Sequence, residues 1–407
     1  LFRSFETQLE SLQDADRLYY LPRIEGLDYG AEIENNSFAE IIAANTNIKH
    51  LSASIFLTPE YVVESANYFQ RDAAGNFVLD VNGNRIATDS STWLHNKTTG
   101  ALLVEVLPDN TVHFIGDDNF FGNTMVLGGT DGNDKLLAGQ ADDDTVWGDA
   151  GDDVIDGGGG NDFLFGGTGN DTITDSSGND VIHGDAGDDT INAGIGDDLA
   201  FSGDGNDFVE LGAGLDEANG GLGNDIILGG EDDDALIGGE GDDWLEGGAG
   251  GDGLVGDQGA PTGQVPLISG NDVLDGGENG DKMQGFSGDD IMLGAGGFDK
   301  FMGELGFDWG SYENEAHGVD VDQNARLFIP NANQPAGDAV RDFWVSTEAV
   351  SGSKFSDDLK GEAGRIVAGD PLNELANTGL IFGLQDSWNG AANNFFAPGT
   401  EIGRAHV

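Results

Sequence analysis

An aspartate recurs at every ninth residue through the middle of this chain. From Asp144 to Asp252 the series runs for twelve steps of nine without a break in register, and the residues before each aspartate are rich in glycine. The residue two places after the aspartate is nearly always apolar. These apolar residues are Val146, Ile155, Leu164, Ile173, Ile182, Ile191, Val209, Ile227, Leu236, Leu245 and Leu254. One inward side chain per short strand is too little to fold alone, so the units must stack and bury a shared apolar column. The period predicts a solenoid whose nine-residue unit is a turn of six residues and a strand of three, with two units in each coil.

Stacking by whole coils places the aspartates in two rows, one along each edge of the solenoid. Asp144 then lies over Asp162, and Asp153 lies over Asp171. At a strand spacing of ~4.8 Å, neighbouring carboxylates repel by roughly 1 kcal/mol in water and about 3 kcal/mol at the dielectric of a protein surface. We therefore expect a cation between them. Carboxylate and turn carbonyl oxygens favour Ca²⁺ over Zn²⁺ or Mg²⁺, because Ca²⁺ tolerates irregular coordination by six or more oxygens.

The predicted calcium ligands are the aspartates that keep this period. They are Asp134, Asp144, Asp153, Asp162, Asp171, Asp180, Asp189, Asp198, Asp207, Asp225, Asp234, Asp243, Asp252, Asp272, Asp281 and Asp290. Leu211 and Leu215 flank Asp216, and Phe298 and Phe307 occupy later turns, so calcium is expected to be missing or weak near Asp216 and beyond residue 299. The alternative, a solvated acidic linker, does not account for an apolar residue two places after each aspartate.

The register slips twice. The interval from Asp134 to Asp144 is one residue longer than the nine-residue period, and the interval from Asp252 to Asp272 is eleven residues longer. The second insertion contains two prolines, which cannot donate to a β-ladder. It predicts a loop at 253–270 that projects from the solenoid.

Two copies of the unit show its complete pattern, residues 157–165 (GGGGNDFLF) and 166–174 (GGTGNDTIT). They resemble the nonapeptide G-G-x-G-x-D-x-U-x of the RTX (repeats-in-toxin) calcium-binding family. The resemblance implies a mainly β chain whose residues 128–310 form a calcium-loaded parallel β-roll. We refer to residues 128–310 as the roll.

Composition limits the partners and the location of the chain. Its 407 residues include 75 acidic and 16 basic side chains, for a formal net charge of −59. This excess excludes nucleic acid and anionic membranes as expected partners. The absence of cysteine fits a cytosolic protein or a bacterial secreted protein that uses metal in place of disulfides. Because only the second environment is rich in Ca²⁺, we expect an extracellular protein, secreted or on the cell surface, with no membrane span. A type I secretion route is what the resemblance to the RTX family implies.

Residues 1–66 have a different character, with little glycine and with helical spacing of apolar residues from Phe2 to Leu12. Ser37 and Glu40 form a capping box ahead of a second predicted helix. A third helix is predicted to begin at residues 58–61. The first residue is not a methionine, and we expect a piece of a longer protein.

The segment 5–20 resembles the end of the catalytic domain of animal-type haem peroxidases, where a helix closes in L-x-D-G-D-R-F-W/Y-W/Y. The matching residues are Asp14, Asp16, Arg17, Tyr19 and Tyr20, while Ala15 replaces the usual glycine. Residues 38–48 resemble the terminal L-x-x-I-I-x-x-N-T-x-I segment of the same family. Residues 116–124 are similar to the stretch that leads into RTX repeats in bacterial fusions of this kind.

This second resemblance implies that the haem ligands and catalytic residues lie upstream of Leu1. The chain itself would then be non-catalytic and would hold no haem, while its parent would be a secreted haem peroxidase that oxidises halide, phenol or Mn²⁺. The six histidines show no pair at helical metal spacing and are predicted to be surface or turn residues. Two other classes remain open, a structural or adhesive calcium-binding surface protein and another RTX enzyme. The sequence has no His-Glu-x-x-His or Gly-x-Ser-x-Gly motif to support the latter.

Two regions flank the roll. Residues 67–127 are predicted to be a β-rich connector, in which Asp80, Asn82 and Asn84 have the spacing of a calcium-binding EF-hand loop but lack its final glutamate. A hairpin is therefore the prediction for this segment. Residues 311–407 are predicted to cap the roll, because 345–361 resembles a segment that often ends RTX arrays. Nothing is assigned beyond residue 364.

Overall fold

The computed structural model describes residues 50, 52, 61–97, 99–115, 124–138, 142–257, 270–312, 320–322, 343–345, 347, 349–351 and 358–360. These residues form 27 strands and two 3₁₀ helices, Ser65–Tyr68 and Ser90–Thr92. The helices predicted between residues 2 and 48, the peroxidase-like segments and residues 364–407 lie outside them.

The strands, numbered in chain order, are β1 (Tyr61–Glu64), β2 (Val104–Val106), β3 (Val112–Phe114), β4 (Met125–Thr130), β5 (Lys135–Leu137), β6 (Thr145–Asp149), β7 (Val154–Asp156), β8 (Phe163–Thr168), β9 (Thr172–Thr174), β10 (Val181–Ala186), β11 (Thr190–Ile195), β12 (Leu199–Asp204), β13 (Phe208–Ala213), β14 (Glu217–Leu222), β15 (Ile226–Glu231), β16 (Ala235–Glu240), β17 (Trp244–Ala249), β18 (Gly253–Asp257), β19 (Val273–Glu278), β20 (Lys282–Ser287), β21 (Ile291–Gly296), β22 (Lys300–Leu305), β23 (Trp309–Ser311), β24 (Asp320–Asp322), β25 (Phe343–Val345), β26 (Ala349–Ser351) and β27 (Asp358–Lys360).

Successive strands of the roll alternate between two parallel sheets. One sheet has the order β1-β4-β6-β8-β10-β12-β14-β16-β18-β20-β22-β25, and the other runs β2-β3-β5-β7-β9-β11-β13-β15-β17-β19-β21-β23-β26. Neighbouring strands pair at a register of one coil, as in the pairs Val181 with Leu199 and Ile182 with Ala200. The parallel β-roll predicted from the nine-residue period is confirmed.

The core is one apolar column between the two sheets. Every apolar residue predicted to face inward is at most 1% exposed, and Ala200 and Ala218 complete the series where the sequence has smaller side chains. The same packed cluster continues into Leu103 before the roll and to Tyr312 at its end. The described residues therefore bury most of their apolar side chains in one continuous column, and two smaller buried clusters, around Phe165 and around Trp244, lie apart from it.

Most strands of the roll are longer than predicted. Those from β10 to β17 span six residues instead of three, because the next three residues, of which one or two are glycines, also pair with the next coil, as Gly203 pairs with Gly221. Gly203 has a φ of 110°, and a Cβ there would lie 1.9 Å from the carbonyl oxygen of Asp185. Glycine at this position lets two backbones approach closely in a left-handed conformation. Asp185 and Phe286, with φ values of 72° and 74°, occupy the equivalent position in their own units. Asp232 and Asn279, with φ values of 77° and 78°, lie two residues before their aspartates, where most units have a later turn glycine.

The large insertion does not interrupt the sheets. Strand β18 pairs with β16 and β20, and β17 pairs with β19 across it. The loop predicted at 253–270 must therefore be shortened at its start, since Gly253–Asp257 is a strand and Leu254 fills the core. The two prolines lie in residues 258–269, outside the described part.

The residues before the roll extend both of its sheets. The prediction of a helix that begins at residues 58–61 is wrong from Tyr61 onward, because Tyr61–Glu64 is strand β1. This strand pairs in parallel with β4 and buries Val63 against the first coil. An extended segment satisfies the exposed edge of β4, which a helix could not do. The predicted hairpin is confirmed, because Asp80 Oδ1 accepts the backbone N–H groups of Asn82 and Asn84 and the bridge between Leu79 and Arg85 is antiparallel.

After the roll, each sheet gains one more strand. Strand β25 pairs with β22 and β26 pairs with β23, both in parallel. Strands β24 and β27 form a separate parallel pair. Short strands therefore follow the roll, and a capping role for residues 311–407 stays a prediction.

Candidate metal centre: two columns of buried aspartates

The periodic aspartates form two columns, each at the start of the strands of one sheet. Column I precedes the strands of the larger sheet and contains Asp134, Asp153, Asp171, Asp189, Asp207, Asp225, Asp243, Asp272, Asp290 and Asp308. Column II precedes the strands of the smaller sheet and contains Asp144, Asp162, Asp180, Asp198, Asp216, Asp234, Asp252, Asp281 and Asp299. All sixteen predicted ligands belong to these columns.

A hydrogen-bond ladder runs along each column. From Asp134 to Asp290, the backbone N–H of each column aspartate donates to Oδ1 of the aspartate one coil further on, as Asp162 donates to Asp180 and Asp171 to Asp189, both at 2.7 Å. The ladder crosses the insertion, because Asp243 donates to Asp272 and Asp252 to Asp281 at 2.9 Å. Each carboxylate is thus held in place by the preceding turn and cannot swing out to solvent without breaking the ladder.

The second oxygen of these carboxylates is buried without a donor. All column aspartates are at most 4% exposed. Oδ2 has no hydrogen-bond partner in Asp153, Asp162, Asp171, Asp180, Asp189, Asp198, Asp207, Asp216, Asp225, Asp234, Asp243, Asp252, Asp272, Asp281 and Asp290. A buried carboxylate oxygen is normally paired, because leaving it unpaired carries the full desolvation penalty. A periodic row of such oxygens indicates bound cations.

Glycine leaves room beside each of these oxygens. A Cβ at Gly166 would lie 2.4 Å from Oδ2 of Asp171, and one at Gly184 would lie 2.5 Å from Oδ2 of Asp189. These are the first glycines of their units, five residues before the aspartate. In these units a side chain at the first glycine would crowd Oδ2, so the glycine keeps open an oxygen cradle that fits a hard cation such as Ca²⁺.

Burial makes ionisation of the columns unfavourable without a cation. It raises the pKa of Asp153 and Asp189 to about 8 and that of Asp243 to about 9. Repulsion from neighbouring aspartates adds to the rise, and the backbone N–H that each carboxylate accepts acts against it. At neutral pH these groups require either a proton or a metal ion.

An arginine side chain pairs with Asp134, the first aspartate of column I. The guanidinium of Arg85 pairs with Oδ1 of Asp134 and also donates to the carbonyl oxygen of Gly132 at 2.8 Å. Thr130 Oγ donates to Oδ2 of Asp134 at 2.6 Å, so both carboxylate oxygens have protein partners. Calcium at Asp134 stays a prediction. The sequence carries no periodic signal for Arg85, which lies 49 residues away from Asp134 in the hairpin region.

The turns predicted to be degraded keep the column geometry. Asp216 accepts from Asp198 at 2.8 Å, while Leu215 and Phe298 project outward at 59% and 50% exposure. Leu211 instead points into the core at 0% exposure. Weak calcium binding at these turns stays a prediction.

Leu211 stands where most units have their first glycine, and a small residue compensates for it. A Cβ at Gly157 would lie 3.1 Å from Leu164 Cδ1, so this position and the core residue seven places later share one space. In the unit of Leu211 that core residue is Ala218. The leucine fills the core from the turn.

Two further buried aspartates, Asp175 and Asp257, lie outside the nine-residue series and were not predicted as ligands. Asp175 replaces the first glycine of its unit, five residues before Asp180, and that break in the glycine pattern was the available signal. Asp257, at 0% exposure, accepts from the backbone N–H of Gly270 at 2.9 Å and from Ser287 Oγ at 2.7 Å. Its position beside an insertion gave no periodic signal.

The described histidines have structural partners. His50 contacts Glu64 at 2.8 Å and Asp149 at 3.1 Å. The prediction of a surface or turn residue is wrong for His183, which is 6% exposed and stacks between Phe165 and Phe201. Burial lowers the pKa of His183 to about 4, so it is neutral at physiological pH.

The fold and the two columns together define a parallel β-roll with the features of a calcium-binding repeat array. In agreement, the sequence model of the RTX calcium-binding nonapeptide repeat (4 copies) matches residues 128–164, 139–173, 165–200, 201–236, 228–262 and 268–301. The chain thus contains RTX repeats, which imply Ca²⁺ binding. A search of curated proteins found no similar sequence. No helix among the described residues is long and apolar enough to cross a membrane.

Proposed function

We propose that the roll is a module that folds when it binds calcium outside the cell. The observation that supports this most directly is the row of fifteen column aspartates whose Oδ2 atoms are buried without a partner. Calcium would supply positive charge between successive carboxylates and join the turns of adjacent coils. The aspartates would hold the ions through Oδ2, with turn carbonyl oxygens completing the coordination, while the Oδ1 ladder fixes each side chain.

The same design supports secretion. At the low calcium of the cytosol, mutual repulsion and desolvation of the carboxylates oppose folding, so the chain would remain extended and able to pass through an export channel. Outside the cell, calcium would fold it and make export irreversible. A type I route and an extracellular location are the parts of this proposal that rest on the repeat type and on the charge of −59.

We further propose that the parent protein is a bacterial haem peroxidase and that this chain is its calcium-binding C-terminal part. The support is the sequence resemblance of residues 5–20 and 38–48 to the end of that catalytic domain. The haem would belong to the part upstream of Leu1, with halide, phenol or Mn²⁺ as possible substrates. The coding sequence upstream of Leu1 tests this proposal, which requires the haem ligands of the family there.

The second candidate is a rigid spacer of an adhesive or structural surface protein. It is favoured by the unbroken pairing from β1 to β25 in one sheet and from β2 to β26 in the other, which makes the described part a continuous rod. An upstream region without haem ligands would support the spacer over the peroxidase.

Circular dichroism during a calcium titration tests the folding module. We expect little β signal in metal-free buffer at neutral pH and a cooperative rise with a midpoint at roughly 10⁻⁴–10⁻³ M Ca²⁺, the range of extracellular calcium modules. Mg²⁺ at the same concentrations is the control and should leave the chain unfolded, because it needs near-ideal octahedral geometry. A β signal that persists in excess chelator at pH 7.5 would contradict the proposal.

A further inference from the structure

Asp175 breaks the repeat at the position that lies beside the cation cradle. Along the turns of column II, the residues at the same position one coil before and one coil after Asp175 are Gly157 and Ala193. Asp175 is 7% exposed, and its Oδ1 accepts the backbone N–H of Ser177 at 2.9 Å. Its Oδ2 is buried and has no hydrogen-bond partner. The carboxylate is thus fixed on one oxygen and presents the other to the interior of the column.

Three carboxylates converge at this point. Oxygen atoms of Asp162, Asp175 and Asp180 all lie within 4.8 Å of one another, a group of three that recurs nowhere else in the described residues. Asp162 is 0% and Asp180 is 1% exposed, and both have an Oδ2 without a partner. A Cβ at Gly157 would lie 2.1 Å from Oδ2 of Asp175 and 2.8 Å from Oδ2 of Asp162. Glycine therefore leaves open the space on which these oxygens converge.

We propose that Asp162, Asp175 and Asp180 form a three-carboxylate cation site that binds calcium before the two-carboxylate gaps elsewhere in the columns. The proposal rests on the proposed calcium-dependent folding and deepens it. Affinity for calcium rises with the number of charged ligands and with the rigidity of the site, and this site exceeds its neighbours in charge. Its formal charge of three also favours a trivalent lanthanide, which prefers the same oxygen ligands.

The position of the site gives it a role in folding. Units of a solenoid contact only their neighbours, so order spreads from whichever unit forms first. The site joins β8 to β10 through the turns that precede them, well inside the run of unbroken period. An ion bound here first would order two adjacent coils and lower the cost of filling the gaps on either side.

Europium(III) is a suitable probe, because its excitation line shifts with the charge of the ligand set and one line reports one type of site. We would titrate the full metal-free chain with Eu³⁺ and compare Asp175→Gly, which restores the usual glycine, and Asp175→Asn, which keeps the shape of the side chain. Ala193→Gly is the control for the position, one coil away without a change of charge. Asp204→Asn is the control for charge, since Asp204 is exposed in a column I turn.

We expect the first equivalent of Eu³⁺ to give one line in the unmodified chain and in both controls. In the Asp175 variants that line should be lost, the first equivalent should spread over several lines, and the tightest calcium affinity should fall about tenfold through the loss of one charged ligand. The calcium midpoint of folding should rise in the same two variants. If both variants bind and fold as the unmodified chain does, the three-carboxylate site is refuted while the calcium module stands. If the unmodified chain fails to bind calcium, the proposed function itself is refuted.

Discussion

Protons should replace calcium in folding the roll, and the buried columns allow the size of this effect to be worked out. Burial raises the pKa of Asp198, Asp225 and Asp234 to about 7 from an ordinary value of 3.8. Each unit of pKa corresponds to about 1.4 kcal/mol, so ionising one of these groups in the metal-free fold costs on the order of 4 kcal/mol. Ionising three such groups would cost about as much free energy as the whole stability of a typical domain, about 5–15 kcal/mol.

The sign of the pH dependence follows from the direction of the shift. A carboxyl group whose pKa is higher in the folded than in the unfolded chain favours folding most at low pH. That advantage is lost as the pH rises from 3.8 toward the folded value of about 7. Lowering the pH from 7.5 to about 5 should return roughly 3 kcal/mol for each of these groups. The metal-free chain should therefore gain β structure on acidification.

Far-ultraviolet circular dichroism of the calcium-free chain from pH 8 to pH 5, with sedimentation velocity to exclude aggregation near the pI of 4.1, measures this transition. Asp198→Asn should move its midpoint to higher pH, because the neutral amide resembles the protonated acid. The exposed Asp204→Asn should move it much less, because that side chain adds only its repulsion of Asp207. A metal-free β signal that is equal at pH 5 and pH 7.5, or weaker at pH 5, would refute the reasoning.

Two substitutions test the packing of the roll. Arg85→Gln leaves Asp134 without its guanidinium partner and should lower the free energy of unfolding by about 3–5 kcal/mol. Part of this loss should be regained at high calcium, because a cation can take the place of the guanidinium. Urea unfolding at two calcium concentrations measures the loss, with Arg71→Gln as the exposed control, and equal losses at both concentrations would contradict the prediction. Leu211→Gly should cost about 3–5 kcal/mol in the calcium-loaded chain through the cavity it leaves, and adding Ala218→Leu should restore most of the loss. Thermal unfolding of the single and double variants would contradict the shared space if their effects simply added.

Local periodicity was sufficient to predict most of the roll. The nine-residue spacing specified the two columns, the inward apolar residues and the parallel pairing at a register of one coil, because each unit repeats the same contacts with its neighbours. The repeated carboxylate and turn carbonyl oxygens also predicted a hard cation, because every unit offers the same oxygen ligands. The predicted strand length was too short, since sequence polarity shows where side chains alternate but does not show that paired glycines continue the ladder.

Contacts between distant or irregular residues were decided only by the tertiary structure. Arg85 reaches Asp134 across 49 residues, and β1 is extended because the edge of β4 is there to pair with it. The sequence does not distinguish Asp175 from other acidic residues, and only the coiling of the chain brings it close to Asp162 and Asp180. In each case the interaction involves a residue that lies outside the repeats or departs from their pattern, and a period can specify only the contacts that repeat.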